Sequence, residues 1–228
     1  RAAEFGAPHL VYGRDFRLSE EIRAVGGWDI GIDGVYEHYD EVHLPIHGRH
    51  QLHNAAVAVA ATEQLLGRAL DLEAVQEGLS ALTLPGRIEV ASRRPLVVLD
   101  GAHTPESMAA GAATLDEEFP PFLWKVVLGA LGDKKLEELT GALVPIAGEI
   151  FGVTAPSERG IPAAEVAAAA RAAMPGLEIH ESGSVADGVR AALAAAGEDG
   201  AVLVTGSMYV VGEARSLLAV IDRSESGS

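Results

Sequence analysis

The stretch "PLVVLDGAHTPESM", residues 95–108, predicts a β-strand that turns directly into an α-helix. Four apolar residues precede Asp100, and Pro105 suits the first turn of a helix, where its missing N–H costs nothing. Asp100 and His103 lie between the strand and the helix. Their side chains either cap the helix and its turn or line a ligand site, and this segment alone leaves both interpretations open.

Outward from this segment, the C-terminal part of the chain alternates apolar runs with helical segments. The runs are "LVVLD", "FLWKVVLGA", "GEIFGVTA" and "GAVLVTGS", and helices are predicted to begin near Pro105, Lys134, Pro162, Val185 and Met208. Strands that are apolar throughout and are separated by helices indicate a parallel sheet covered on both faces. We therefore predict a Rossmann-like α/β domain over residues 84–220, followed by a disordered polar tail over residues 221–228.

Residues 1–83 show a different pattern, richer in short strands and turns. Strands are predicted at "PHLVYG" and "EVHLPIHG", and a helix over residues 51–66 ends at Gly67. Asp71 is the predicted N-cap of a second helix that runs to about Leu82. The Pro-Gly turn of "TLPGR" then separates this part from the C-terminal domain.

The composition excludes several classes of partner. Of the 228 residues, 48% are hydrophobic and 22% are charged, which is typical of a globular protein, and the formal net charge is −16. So acidic a chain repels nucleic acid and anionic membranes, and no apolar run is long enough to cross a bilayer. The chain has no cysteine, which excludes disulfides and thiolate metal sites and fits a cytoplasmic protein.

Several catalytic and nucleotide-binding motifs are absent from the sequence. It contains no G-x-x-x-x-G-K-[ST] phosphate-binding loop, no G-x-G-x-x-G dinucleotide fingerprint and no G-x-S-x-G nucleophile elbow. A Rossmann oxidoreductase and a serine hydrolase are therefore disfavoured. His43, His47, His50 and His53 lie close together in the sequence, but they lack the regular helical pair and third carboxylate of a metal site. We predict no metal there.

Five residues are candidates for a ligand site. Open parallel sheets bind ligands at the carboxyl ends of their strands, and Asp100, His103 and Ser207 follow two such ends. Arg87 follows the Pro-Gly turn, and Asn54 lies near the start of a helix rich in small residues. Structural interpretations stay open for each: Ser207 as an N-cap, Arg87 as a solvated residue, Asn54 as a polar residue of the first helical turn.

Taken in order, the motifs resemble those of one family. "GRHQLHNAAVAVAATEQL", "LPGRIEV", "PLVVLDGAHTPES" and "VLVTGSMYVVGEAR" are similar to the C-terminal half of folylpolyglutamate synthase/dihydrofolate synthase, in the Mur ligase superfamily. Thr104 replaces the more usual asparagine, and "SERGIP" stands where relatives often carry Pro-Arg-Ala. The resemblance implies that residues 1–83 end a central ATP-binding domain and that residues 84–220 form the C-terminal ligase domain.

The resemblance also implies an activity. The family uses ATP and Mg²⁺ to join the carboxylate of a folate or dihydropteroate to the amine of L-glutamate, through an acyl phosphate. By resemblance, Asn54, Arg87 and Asp100 would bind ATP. His103 and Ser207 would bind the incoming glutamate, with Asp100 and His103 as the catalytic residues.

The same resemblance implies that this chain is a partial enzyme. The phosphate-binding loop and most Mg²⁺ ligands of the family belong to an N-terminal part that the sequence lacks. We therefore expect the chain to be inactive by itself and to be a monomer.

Two alternative functions stay open. One is another Mur-type ligase, which adds an amino acid to a cell-wall precursor; the "HQ" at His50-Gln51 and the segment "GSMYVVGE" favour the folate branch instead. The other is a nucleotide-binding or regulatory module without catalytic activity of its own.

Overall fold

The computed structural model describes residues 9–132 and 135–225, and the chain divides into two compact units between Leu84 and Pro85. We call these the N-terminal unit and the C-terminal unit. The division falls within the segment "TLPGR". In the part of the chain that the structure describes, no helix is both long enough and apolar enough to span a membrane.

The N-terminal unit is an antiparallel sheet followed by two helices. Its elements are β1 (Arg17–Ala24), β2 (Gly27–Asp33), β3 (His38–Leu44), α1 (Arg49–Leu66) and α2 (Leu72–Ser80), with the strands in the order β1-β2-β3. The helix predicted over residues 51–66 is confirmed and begins two residues earlier. Asp71 caps α2 by accepting a hydrogen bond from the N–H of Ala74, as predicted, and α2 ends two residues before Leu82.

The strand predicted for "PHLVYG" is wrong in the described part of that run. Tyr12 forms only an isolated bridge with Phe16. The carbonyl of Val11 accepts a hydrogen bond from the N–H of Arg14 at 3.1 Å, and this bond closes a turn instead of extending a ladder. The segment therefore leads into β1 and does not form a strand of its own.

A buried carboxylate joins α1 to the turn between β2 and β3. Glu63 accepts hydrogen bonds from the Tyr39 hydroxyl at 2.7 Å and from the backbone N–H groups of Val35 and Tyr36 at 2.5 and 3.3 Å. Burial raises the pKa of Tyr39 to about 12, so its hydroxyl keeps the proton that it donates. Three donors thus satisfy a carboxylate that would be costly to bury alone.

The C-terminal unit is a six-stranded sheet with helices on both faces. Its strands are β4 (Glu89–Arg93), β5 (Leu96–Asp100), β6 (Trp124–Leu128), β7 (Ala147–Gly152), β8 (Glu178–Glu181) and β9 (Ala201–Thr205). Its helices are α3 (Pro105–Glu118), α4 (Leu136–Gly141), α5 (Ala163–Ala173), α6 (Val185–Ala196) and α7 (Met208–Glu225). The strand order is β4-β5-β9-β6-β7-β8, and only β4 is antiparallel to its neighbour.

Successive residues of the central strands enter two separate hydrophobic cores. Val98 and Val126 pack on one face with residues of α3, α4 and α5, whereas Val97 and Val127 pack on the other face with residues of α6 and α7. Because both faces are covered, the strands are apolar throughout. This arrangement confirms the predicted Rossmann-like, mostly parallel α/β fold.

Helix positions agree with the sequence except near the chain's C-terminus. The confirmed starts are Pro105, Pro162, Val185 and Met208, each within one residue. Lys134 lies outside the described residues, and α4 begins at Leu136. Helix α7 extends to Glu225, into the tail predicted as residues 221–228, and residues 226–228 lie outside the described residues.

Candidate functional site

Two loops meet at the carboxyl edge of the sheet. Asp100 and Thr205 are paired residues at the ends of β5 and β9, and the N–H of Gly206 donates to the carbonyl of Ala102 at 3.0 Å. The backbone segments that carry Asp100 and Ser207 are thus joined by hydrogen bonds. The structure therefore brings three of the predicted site residues, Asp100, His103 and Ser207, to one edge of one sheet.

The cap of α3 is Thr104. Its Oγ1 accepts a hydrogen bond from the N–H of Ser107 at 3.2 Å. In return, Ser107 Oγ accepts from the N–H groups of His103 and Thr104 at 3.1 and 3.0 Å. The interpretation of Asp100 and His103 as caps of this helix is therefore wrong, because Thr104 and Ser107 form the capping box. Their interpretation as turn residues is borne out, since Asp100 accepts from the N–H of Ala102 and His103 Nδ1 lies 3.0 Å from the carbonyl oxygen of Gly101.

Asp100 is a buried carboxylate with only 6% of its surface exposed. It accepts backbone hydrogen bonds from Ile88 and Ala102, and the charges of Arg87 and His103 act on it. Burial raises the pKa of Asp100 to about 6, although these hydrogen bonds and charges work to lower it. Asp100 therefore changes its protonation state close to neutral pH.

His103 is exposed beside this carboxylate. Its Nδ1 lies 3.0 Å from the carbonyl oxygen of Gly101, which can only accept a hydrogen bond. Nδ1 is therefore the protonated nitrogen of the neutral ring, and Nε2 is left as an acceptor for a ligand.

Ser207 is buried at the start of α7. Its Oγ accepts a hydrogen bond from the N–H of Tyr209 at 3.2 Å, and its carbonyl accepts from the N–H of Val211 at 3.1 Å. This geometry supports the N-cap interpretation of Ser207. An accepting hydroxyl still has its own hydrogen to donate, so a role toward a ligand is compatible with the cap.

Arg87 is exposed, and the backbone on both sides of it is unusual. Gly86 has a φ of +70° and Ile88 a φ of +46°. An isoleucine rarely adopts this left-handed region, because its branched Cβ clashes with the backbone. Neither the conformation of Ile88 nor its hydrogen bond to Asp100 could be foreseen from the residue types.

The remaining candidates lie in the N-terminal unit. Asn54 is exposed on α1 and donates from Nδ2 to Gln51 Oε1 at 3.0 Å. His43 contacts Asp29 Oδ1 through Nδ1 at 2.7 Å. His53 Nδ1 lies 3.1 Å from a backbone carbonyl of its own helix.

A second group of polar residues spans β6, β7 and β8 and was not predicted from the sequence. Glu149 contacts Lys125 Nζ at 2.8 Å through one oxygen and His180 Nε2 at 2.6 Å through the other. Burial works to raise the pKa of Glu149, but hydrogen bonds from Lys125 and His180 outweigh it and the pKa lies below its usual range. Because Lys125 already supplies a cation, we interpret this group as a structural ion pair.

The segment that carries the carboxyl edge matches a known protein family. Residues 86–208 match the model of the Mur ligase glutamate ligase domain, which is more than half of the chain. The chain belongs to the Mur ligase family. Within the matched segment lie Arg87, Asp100, His103 and Ser207, whereas Asn54 lies before it.

Similar members of the Mur ligase family carry names from folate metabolism. The chain is 34% identical over 220 residues to the dihydrofolate synthase/folylpolyglutamate synthase of Mycobacterium tuberculosis, covering 89% of this chain and 45% of that protein. It is 38% identical over 176 residues to a probable bifunctional folylpolyglutamate synthase/dihydropteroate synthase of Haloferax volcanii, covering 77% of this chain and 20% of that protein.

A solved structure of the family has the same fold. Mycobacterium tuberculosis folylpolyglutamate synthase complexed with ADP matches with a TM-score of 0.91 at 30% identity, over 95% of this chain and 50% of that chain. This chain therefore spans about half the length of that solved structure, and a smaller share of the two relatives named above.

Proposed function

We propose that this chain is the C-terminal half of an ATP-dependent ligase that joins L-glutamate to a folate or dihydropteroate carboxylate. The observation that carries the proposal is the convergence of Asp100, His103 and Ser207 at the carboxyl edge, with Arg87 on the adjoining segment and acting on the Asp100 charge, all inside the segment that matches a glutamate ligase domain. The names of the relatives and the ADP in the similar solved structure support the choice of substrates.

The charges of the carboxyl edge suit anionic substrates. With a net charge of −16, the chain as a whole repels ATP, folates and glutamate, so binding needs a local cation. Arg87 supplies one, and a guanidinium can donate two parallel hydrogen bonds to a phosphate. We assign Arg87 to the phosphates of ATP, and we keep an ATP contact as the proposed role of Asn54, whose amide is exposed.

The amino-acid substrate is assigned to His103 and Ser207. The free Nε2 of His103 can accept a hydrogen bond from the amine of glutamate, and the Ser207 hydroxyl can donate to a carboxylate. In the proposed reaction, ATP supplies the phosphoryl group that activates the folate carboxylate. The amine then attacks the carbon of the resulting acyl phosphate and loses a proton, and the C–O bond to phosphate breaks, so that inorganic phosphate leaves as the amide forms. Asp100, with a pKa of about 6, lies beside His103 and can balance the positive charge that the departing proton carries.

Among the candidate residues of the carboxyl edge, Mg²⁺ would have few ligands. The only carboxylate among the four edge candidates is Asp100, and two backbone N–H groups already occupy it. Hard divalent cations prefer several oxygen ligands. We therefore assign no step at this edge to the metal and propose that its ligands belong mostly to the part of the enzyme outside this sequence.

The test is ATP-dependent incorporation of labelled L-glutamate into folate or dihydropteroate. We expect product from the full-length protein that contains this chain, and none from this chain alone, because it has no phosphate-binding loop. Sustained turnover by this chain alone would contradict the proposed division of labour. Activity only on a cell-wall precursor would move the protein to another branch of the Mur ligase family.

A further inference from the structure

Arg87 lies on a short segment whose backbone is fixed on three sides. The carbonyl of Gly86 accepts from the N–H of Gly101 at 2.7 Å, and the N–H of Gly86 donates to Glu89 Oε2 at 2.7 Å. The N–H of Ile88 is held by Asp100. The strained conformation of Ile88 persists because these bonds impose it.

Glu89 connects this segment to helix α7. While Oε2 accepts from Gly86, Oε1 lies 3.1 Å from Nη2 of Arg215, two turns into α7. The Glu89 side chain is 21% exposed and that of Arg215 is 52% exposed, so the carboxylate is partly shielded from solvent while the guanidinium faces it. The carboxylate therefore bridges the Gly86 backbone and a helix that packs on the sheet.

Such a bridge matters for a phosphate-binding arginine. An arginine on a free loop loses both side-chain and backbone entropy when it binds a ligand. If the backbone is already fixed in the required turn, only the side chain has to be ordered. The left-handed turn therefore has a use that offsets its conformational cost.

We propose that Glu89, held by Arg215, is a positioning residue that fixes the turn at Gly86–Ile88 and thereby directs the Arg87 guanidinium toward the phosphates of the nucleotide. This inference rests on the proposed function, in which Arg87 binds ATP. Neither Glu89 nor Arg215 touches the substrate in this proposal; both act through the backbone that carries Arg87.

The first test measures the bridge in this chain alone and does not depend on ligase activity. In amide hydrogen exchange, Glu89→Ala should remove much of the protection of the Gly86 N–H. Glu89→Gln should retain it, because the amide oxygen still accepts this bond. Unchanged protection in Glu89→Ala would overturn the inference whatever the enzyme does.

The second test uses steady-state kinetics of the full-length protein, after its turnover has been established. Glu89→Ala and Arg215→Ala should raise KM for ATP about tenfold, with a smaller effect on kcat. Glu89→Gln should keep KM for ATP close to the wild-type value. In an Arg87→Ala background, Glu89→Ala should cause no further increase, because its effect passes through the missing guanidinium.

The control is Arg94→Ala, which removes an exposed arginine from its contacts with Glu198 and Asp199 at 3.5 and 3.1 Å. It should leave KM for ATP unchanged. An equal rise in KM for Glu89→Ala with and without Arg87 would overturn the inference. A lower melting temperature of Glu89→Ala with an unchanged KM for ATP would overturn it as well. A wild-type protein without ligase turnover would overturn the proposed function and leave the exchange result as the test of the bridge.

Discussion

The carboxylate of Asp100 lies directly against the backbone of Gly111 in α3. A Cβ at position 111 would be 2.9 Å from Asp100 Oδ2, closer than real Cβ atoms approach such a neighbour. A glycine inside a helix costs about 0.5–1 kcal/mol relative to alanine. Here the missing side chain provides the space that the buried carboxylate occupies.

Gly111→Ala should lower the stability of the C-terminal unit by about 1 kcal/mol, because the added methyl displaces a carboxylate held by two N–H groups. Gly212→Ala is the matched control: it lies inside α7 with nothing within 4 Å, and should raise stability by about 0.5–1 kcal/mol. The measurement is chemical denaturation followed by Trp124 fluorescence, in a Trp28→Phe background. Equal stabilisation by both alanines would show that position 111 has room.

The pKa of Asp100 predicts a pH dependence of stability. Folding raises this pKa from 3.8 to about 6, so the folded state favours the protonated acid. The contribution of Asp100 to the free energy of unfolding is therefore highest below pH 4 and is lost as the pH rises through 6. Relative to Asp100→Asn, the free energy of unfolding should fall by about 2 kcal/mol between pH 4 and pH 7.

Because many acids titrate in this range, the comparison with Asp100→Asn isolates one group. The same fluorescence of Trp124 reports on both proteins at each pH. Parallel profiles for wild type and Asp100→Asn would mean that the buried carboxyl titrates normally.

Glu63→Ala should destabilise the N-terminal unit. The change leaves the Tyr39 hydroxyl and two backbone N–H groups without their acceptor, at a cost of about 3 kcal/mol. Glu77→Ala, on the exposed face of α2, should change stability by less than about 0.5 kcal/mol. Denaturation monitored through Trp28 in a Trp124→Phe background measures both, and a similar small loss for the two variants would contradict a structural role for Glu63.

His103→Ala should separate catalysis from stability. Since Thr104 and not His103 caps α3, the histidine variant of the full-length protein should melt normally but lose about a hundredfold in kcat/KM, or about 2.7 kcal/mol. Thr104→Ala should instead lose about 1 kcal/mol of stability. Steady-state kinetics and thermal melts of both variants give the comparison; an undiminished kcat/KM in His103→Ala would remove the histidine from the site.

The sequence predicted the central strands well and the edge strands poorly. "LVVLD" and "AVLVT" are buried on both faces, so an unbroken apolar run identifies them. β4 ("EVASR") and β8 ("EIHE") have a partner on one side only and are partly exposed, and their sequences mix polar and apolar residues. The strand order could not be predicted, because it depends on contacts between residues that are far apart in the sequence.

The site was predicted as a set of residues but not as a geometry. Asp100 and His103 were correctly expected at the end of a strand, yet their role as caps stayed open because Thr104 and Ser107 are equally good capping types. No pattern predicts a left-handed isoleucine, so the fixed turn around Arg87 was missed. The role of Gly111 in leaving space for the Asp100 carboxylate could not be predicted either, since Asp100 belongs to another element.

The position of β9 in the sheet has a consequence for biosynthesis. β9 is the last strand to be made, yet it lies between β5 and β6 and pairs with both. While the ribosome is still translating residues before Ala201, β4–β5 and β6–β8 are two half-sheets that cannot yet join through their common neighbour. Their facing edges carry apolar strands with unpaired backbone groups, a template for aggregation. A nascent or truncated chain that stops short of Thr205 is therefore more prone to aggregate than one in which β9 has closed the sheet.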